Sequence, residues 1–434
     1  MEDILSQAKK VAEKAEVFQI SSKMIPVHFE ANRLKQIQDK ESTRTALRLI
    51  KDGRVGFAQV SGSIEPDTLV EMAVETCQFG MPAKFNFPNT KIYPKIDVFD
   101  SKTDAVAIDE IVKLGEQIIA KIRQHTSEIL CEASIAKGTA SVNIINSEGG
   151  EASYNKSFFN LSLEGVLIKN EDMLFVGDSH SSCHPILDFG PVAEEVIKQL
   201  EFAKSNASIS TKSMPVIFTP HGVASSLIAP LLSAFNGKLV FDGASPLKDK
   251  LGEQLFDKSF SLWDDSTLPY QVASYPCDDE GVPSQQTLLV DSGVVSHFLY
   301  DLQTAALANT QSTGNGSRHG GSPTPSPSSL VIGKGNASFW DMVGDIKEGL
   351  VVEFMIGAEQ GNILNGDFSG NVLLGYKIEN GEIIGRVKDT MVAGNVYQIL
   401  KQLEAIGNDA RWVEGFLLTP SLHCSNLSVA SKAG

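Results

Sequence analysis

Pro215-Val-Ile-Phe-Thr-Pro220-His221-Gly-Val-Ala-Ser-Ser-Leu-Ile-Ala-Pro230-Leu-Leu-Ser-Ala-Phe-Asn-Gly237 reads as an apolar strand running directly into a helix of small and apolar residues. From Gly222 to Gly252 the chain holds neither a histidine nor a glutamate. Hydrolysis by zinc needs two or three His, Cys or carboxylate ligands and usually a glutamate base. This helix supplies none of them. Pro230 also lacks an N–H, so it breaks or restarts the helix. Ser225-Ser226 stands at the passage from strand to helix. Its setting, Val-Ala-Ser-Ser-Leu, lacks the glycines that let a nucleophile elbow pack.

Working outward, Ile4, Leu5, Ala8, Val11 and Ala12 have helical spacing, and Glu16–Ser22 alternates as a strand. Thr45–Ile50 and Arg54–Val60 flank Lys51-Asp52-Gly53, a hairpin signal because Asp-Gly favours a tight turn with positive φ. Pro66-Asp67 opens a helix to about Cys77, and a longer helix is expected over about 104–131. Thr139–Ile145 and Glu151–Ile168 read as strands, and Pro191 opens a helix to about Lys204. Beyond it, Thr287–Val290 with Val294–Asp301, and Leu373–Ile378 with Glu382–Lys388, read as hairpins. Asn395–Ala405 reads as a helix, followed by strands near Gly415–Leu418 and Leu427–Ala430. The polar segment Lys204–Ser213 separates a mixed half from a strand-rich half. It predicts domains at 1–208 and 209–434.

At 434 residues the chain can bury a substantial core, and 42% hydrophobic with 21% charged residues is ordinary for a globular protein. A net charge of −16 speaks against nucleic-acid binding, which needs clustered cations. The acidic start Met1-Glu-Asp-Ile-Leu does not read as a signal peptide, and no apolar run reaches the roughly 18 residues that span a bilayer. A cytoplasmic protein without membrane contact is expected. The five scattered cysteines fit reduced thiols.

The other constellations are weak. Gly314-Asn-Gly316-Ser-Arg318-His-Gly320 has the wrong spacing for a dinucleotide loop, and Pro323 and Pro325 stand where its helix would begin. Gly333-Lys334-Gly335 lacks the hydroxyl that follows the lysine of a phosphate loop. His180-Ser-Ser-Cys183-His184 groups metal-type ligands, but Gly177, Asp178 and Pro185 argue for a polar loop there. Asp278-Asp279-Glu280-Gly281 is a carboxylate run in a turn, either solvated or placed beside a cleft.

Taken together, several segments resemble the TldD/PmbA family, also called modulators of DNA gyrase. They are Ala31–Gln38 with the hairpin at 48–58, Asp278–Pro283 with Leu289–Val295, and Ser312–Gly316. Gly349–Val352 with Asn362–Phe368 and Gly375–Glu382, and Val392–Asn395 with Ile406–Asp409, complete the set. The resemblance covers nearly the whole chain. It implies two kinds of subunit: TldD-like zinc proteases with a His-Glu-x-x-x-His helix and a distant Cys, and PmbA-like chains, also called TldE, that keep the fold without those ligands. The His, Glu and second His positions fall on Ala229, Pro230 and Ala234 here, and Arg411–Gly415 has no cysteine where the ligand thiol belongs.

The resemblance therefore implies a PmbA/TldE-like chain that binds no cofactor and no metal, with zinc in a TldD-like partner. The partner is such a subunit in a heterodimer, or a second copy of this chain. Peptide or small unfolded substrates enter a cavity between the chains and add to exposed strand edges. Thr313, Gly314, Asn315, Gly316 and Arg318, with Asp278 and Asp279, are candidates for lining that cavity or the interface. A stand-alone hydrolase using His180, His184 or Asp278, and a homodimeric peptide-binding protein without catalysis, are the alternatives. The fold expected is α+β: an N-terminal antiparallel sheet with helices, then a strand-rich domain with a closed or nearly closed antiparallel sheet.

Overall fold

The computed structural model describes residues 1–170 and 172–432. The first half is one antiparallel sheet whose path runs Arg54–Ser61, Lys40–Lys51, Lys14–Glu30, Leu130–Asn146, Glu151–Lys169, Asp172–Ser182. Arg33–Ile37 folds back on the end of Lys14–Glu30. The sheet obeys period two. Cys131, Ala133 and Ile135 point into the core, while Glu132 between them is exposed. The hairpin turn sits at Asp52 and Gly53, both with positive φ.

The helix Ile108–His125 covers the inner face with Ile111, Leu114, Ile118, Ile119 and Ile122. It is shorter than the periodicity suggests. Thr126 is already extended, and from Leu130 the chain pairs with Val166 as a strand. The apolar residues Ile129 and Cys131 belong to that alternation, not to the helical stripe. The reading of residues 104–131 as one helix is therefore corrected. Near its start the chain is a separate turn, Ser101–Ala105, with Asp100 as its cap.

The second half contains a closed five-stranded ring: Glu348–Ile356, Lys212–Phe218, Leu422–Ser431, Thr390–Asn395, Asp367–Glu379 and back to Glu348–Ile356. Closure matches expectation; uniform antiparallel pairing does not. Leu350 pairs with Val216 in parallel. Parallel neighbours require a long crossover, and the segment from Thr219 to Lys347 is that crossover. It carries four strands of a six-stranded mixed sheet, in the order Val294–Val295, Gln286–Asp291, Leu262–Asp265 and Leu330–Ile332, which Leu417–Thr419 and Arg411–Val413 complete from beyond the ring strand Asp367–Glu379. The expected hairpin partner Val294–Asp301 is only Val294–Val295. Likewise Asn395–Ala405 is a helix over Val396–Lys401 and then a strand over Leu403–Ile406.

Alternation along the ring serves two cores. Val216, Phe218, Leu350 and Val352 join the cluster inside the ring. Ile217, Val351, Leu374 and Tyr376 point outward into the core under the first-half helices. The two halves thus share one continuous apolar layer. No described helix is long and apolar enough to cross a membrane.

Candidate functional site

The opening stretch folds as strand Lys212–Phe218, helix Pro220–Ser226 and helix Ile228–Phe235. Thr219 caps the first helix through its side chain, with Pro220 in the first turn. The helix breaks at Leu227, three residues before Pro230, and restarts with Pro230 inside the new first turn. A proline there crowds the carbonyl four residues earlier, and the break relieves that clash. Gly222 is required for packing: a Cβ there would lie 2.3 Å from the Val352 carbonyl oxygen. Gly222→Ala is expected to destabilise the fold by about 1–3 kcal/mol, read by urea unfolding.

The packing of this helix against strand Glu348–Ile356 sets His221 between carboxylates. Its Nδ1 lies 2.8 Å from Glu353, and its Nε2 lies 3.0 Å from Asp178. Arg411 closes the group, 2.6 Å from Asp178 and 3.2 Å from Glu195. Asp178 and Glu195 come from the first half of the chain, the other three from the second. His221, Asp178 and Glu353 are buried. Burial alone would push the imidazole down. Its hydrogen bonds to Asp178 and Glu353, and their charges, outweigh burial and lift it to about 9. Burial would raise Asp178; the His221 hydrogen bond and the Arg411 charge hold it below its ordinary value instead.

Asp178 and His221 also line a groove of 560 Å³ between the sheet of the first half and the ring. Val166, Phe175, Phe354 and Leu373 form its apolar surface, with Glu132, Glu164 and Glu414 around it. Through Ala224 and Ser225 it continues into a cleft of 400 Å³ lined by Ala229, Pro230, Met355 and Ile356. Met355 donates its N–H to Ser225 Oγ at 3.2 Å.

Zinc does not fit the positions where the resemblance would put it. Ala229 and Pro230 face the cleft without a ligand atom, and Ala234 is fully buried. Arg411 is spent on Asp178 and Glu195, and Cys424 is buried on a strand of the ring. Among the described residues one trio of metal-type side chains converges, Glu195, His221 and Glu353, with ligand atoms within 4.8 Å of one another. An imidazole bonded to carboxylates at both nitrogens carries two protons and has no lone pair to give. Arg411 and Lys198 occupy Glu195. The trio therefore reads as an ion-pair group tying the two halves together.

The remaining candidates lie in a second group across the same junction. Arg48 pairs with Glu16 at 3.1 Å and with Glu280, and Arg318 pairs with Glu16; all four are buried. Asp278 accepts the N–H groups of Glu280, Val282 and Gly316 at 2.8–2.9 Å. Burial, with Glu280 beside it, drives its pKa well up. Asp279 accepts the Arg318 N–H at 2.7 Å. Asn315 Nδ2 donates to Asp264 at 2.7 Å, and Gly314 turns with a φ of 70° beneath the Tyr275 hydroxyl. Gly316 leaves room for Glu280, whose carboxylate a Cβ would meet at 2.3 Å. Thr313 Oγ1 accepts the Tyr300 N–H at 2.8 Å. The carboxylate turn is thus buried, which corrects its reading as a solvated one. None of these seven residues lines the groove.

His180 lies within strand Asp172–Ser182, not in a loop. His184 bonds Asp100 at 2.7 Å and stacks on Tyr270, while Cys183 is buried. These contacts do not gather His180, His184 and Asp278 into one site. Asp178, His221 and Glu353 were missed because their signal is tertiary: they stand 43 and 132 residues apart in sequence.

A family model described as PmbA/TldA metallopeptidase C-terminal domain matches residues 211–431, and one described as PmbA/TldA metallopeptidase domain 1 matches residues 15–77. An uncharacterized protein of Methanocaldococcus jannaschii is 28% identical over 434 residues, 97% of this chain and 98% of that one. A metalloprotease PmbA homolog of Haemophilus influenzae is 27% identical, covering 75% of this chain and 69% of its own length. The crystal structure of TldE from Thermococcus kodakarensis superposes with a TM-score of 0.91 at 25% identity, covering 99% of this chain and 100% of that one.

Proposed function

This chain belongs to the PmbA/TldD metallopeptidase family, and from that premise we propose that it is a PmbA/TldE-like, zinc-free subunit that pairs with a TldD-like zinc protease to degrade peptides or small unfolded proteins. One observation carries the reading: Ala229 and Pro230 occupy the cleft where ligand and base belong, and neither can bind an ion or move a proton. What remains is a shaped surface. The ring, with its cleft alongside Met355 and Ile356, supplies a rigid wall, and the zinc chemistry belongs to the partner. His221 serves structure in this scheme. With a carboxylate on each nitrogen it cannot act as a base toward Ser225.

The test is reconstitution. The purified chain alone, a TldD-like subunit alone and their mixture are assayed on a labelled unstructured peptide, with zinc measured in each. The expected outcome is rapid cleavage by the mixture, little by either chain, and zinc content that follows the TldD-like subunit.

A further inference from the structure

The groove beside His221 carries a charge pattern that the subunit role does not use. Glu132 and Glu164 stand directly opposite each other on neighbouring antiparallel strands. Like charges in that register repel and are destabilising. Both are exposed, and a third exposed carboxylate, Glu414, lines the same groove. Among the described residues none of the three is in an ion pair, and no lysine or arginine lines the groove. Gly177 sits opposite Glu164 on the next strand, so no side chain there pairs with Glu164. Alongside lie the half-buried faces of Val166, Phe175, Phe354 and Leu373.

We propose that this groove is a side-chain subsite for an arginine of an extended peptide with apolar neighbours. The guanidinium fork matches two carboxylates held side by side, and its flat face packs on aromatic rings. A cation there gains two attractions and cancels the Glu132–Glu164 repulsion. The groove is continuous with the cleft at Ala229 and Pro230 through Ala224 and Ser225. A peptide seated with its arginine in the groove would therefore run toward that cleft. The proposal takes from the reading above only that this chain handles peptide.

Two short fluorescein-labelled peptides test it, one with arginine between two leucines, the other with neutral citrulline in its place. Anisotropy titrations of the full chain are expected to favour the arginine peptide by about five- to tenfold at low salt, less at high salt. The double variant Glu132→Gln, Glu164→Gln is expected to erase the preference with no loss of thermal stability, because it removes a repulsion. Equal affinity for both peptides, no binding of either, or a preference that survives in the variant overturns the subsite. Cleavage by the mixture with a TldD-like chain is scored separately. Cleavage without an arginine preference overturns the subsite and leaves the subunit role standing. An arginine preference in the lone chain with no cleavage by the mixture does the reverse.

Discussion

Replacing Arg48 by methionine is expected to lower the free energy of unfolding by about 3–5 kcal/mol, because it strands buried carboxylates. Arg48 holds Glu16 and Glu280, all three are essentially shielded from solvent, and its guanidinium lies 4.7 Å from the Phe85 ring and 5.0 Å from that of Phe87. Methionine fills the volume and keeps the aromatic contact, so the loss isolates the charge. Urea unfolding of wild type and variant at neutral pH reads it. Pairing Arg48→Met with Glu280→Gln is expected to recover part of the loss, since a neutral amide replaces one stranded charge. A loss under about 1 kcal/mol for the single variant would mean that the quartet is already solvated or neutral.

The second large effect is a pH dependence. The His221 imidazole is lifted from its ordinary 6.5 to about 9 in the fold. A group raised on folding contributes stability that is fully present below its unfolded pKa and is lost as pH climbs through the folded one. The window therefore runs from about 6.5 to 9, and its total is about 3 kcal/mol. Chemical unfolding across that window should show the wild-type-minus-His221→Leu difference shrinking by about 3 kcal/mol as pH rises. Asp178, held low, acts at the other end: its contribution is lost as acid protonates it. A wild-type-minus-variant difference that is flat across the window would show that His221 is neutral in the fold.

Local signals carried much of the fold into view. The Asp52-Gly53 turn, the proline at the start of helix Pro66–Cys77 and the alternation of Glu151–Lys169 each express chain chemistry within a few residues. Errors arose where a residue's partner is distant. Ile129 and Cys131 continue the apolar run in sequence, but both bond Asn32, about a hundred residues away, and from Leu130 the chain pairs as a strand. Asp278, Asp279 and Glu280 look like a water-facing run until Arg48 arrives from 232 residues away and Arg318 from 39. The parallel pairing of Leu350 with Val216 has no local signature either, because it depends on where a long crossover returns.

The site divides in the same way. What the helix lacks was legible, since absence of a ligand at Ala229, Pro230 and Ala234 is a property of residue type. The groove was not. Its acidic pair comes from two strands, its apolar faces from both halves, and His221 meets its two carboxylates only after folding.

The most direct test of the subunit role combines zinc analysis with proteolysis on the same preparations: this chain alone, a TldD-like chain alone, and the reconstituted pair. The account predicts that the lone chain holds far less than one zinc and leaves the peptide intact, while the pair cleaves it with its metal on the TldD-like side. Stoichiometric zinc bound by the lone chain, together with chelator-sensitive cleavage by it, would contradict the account.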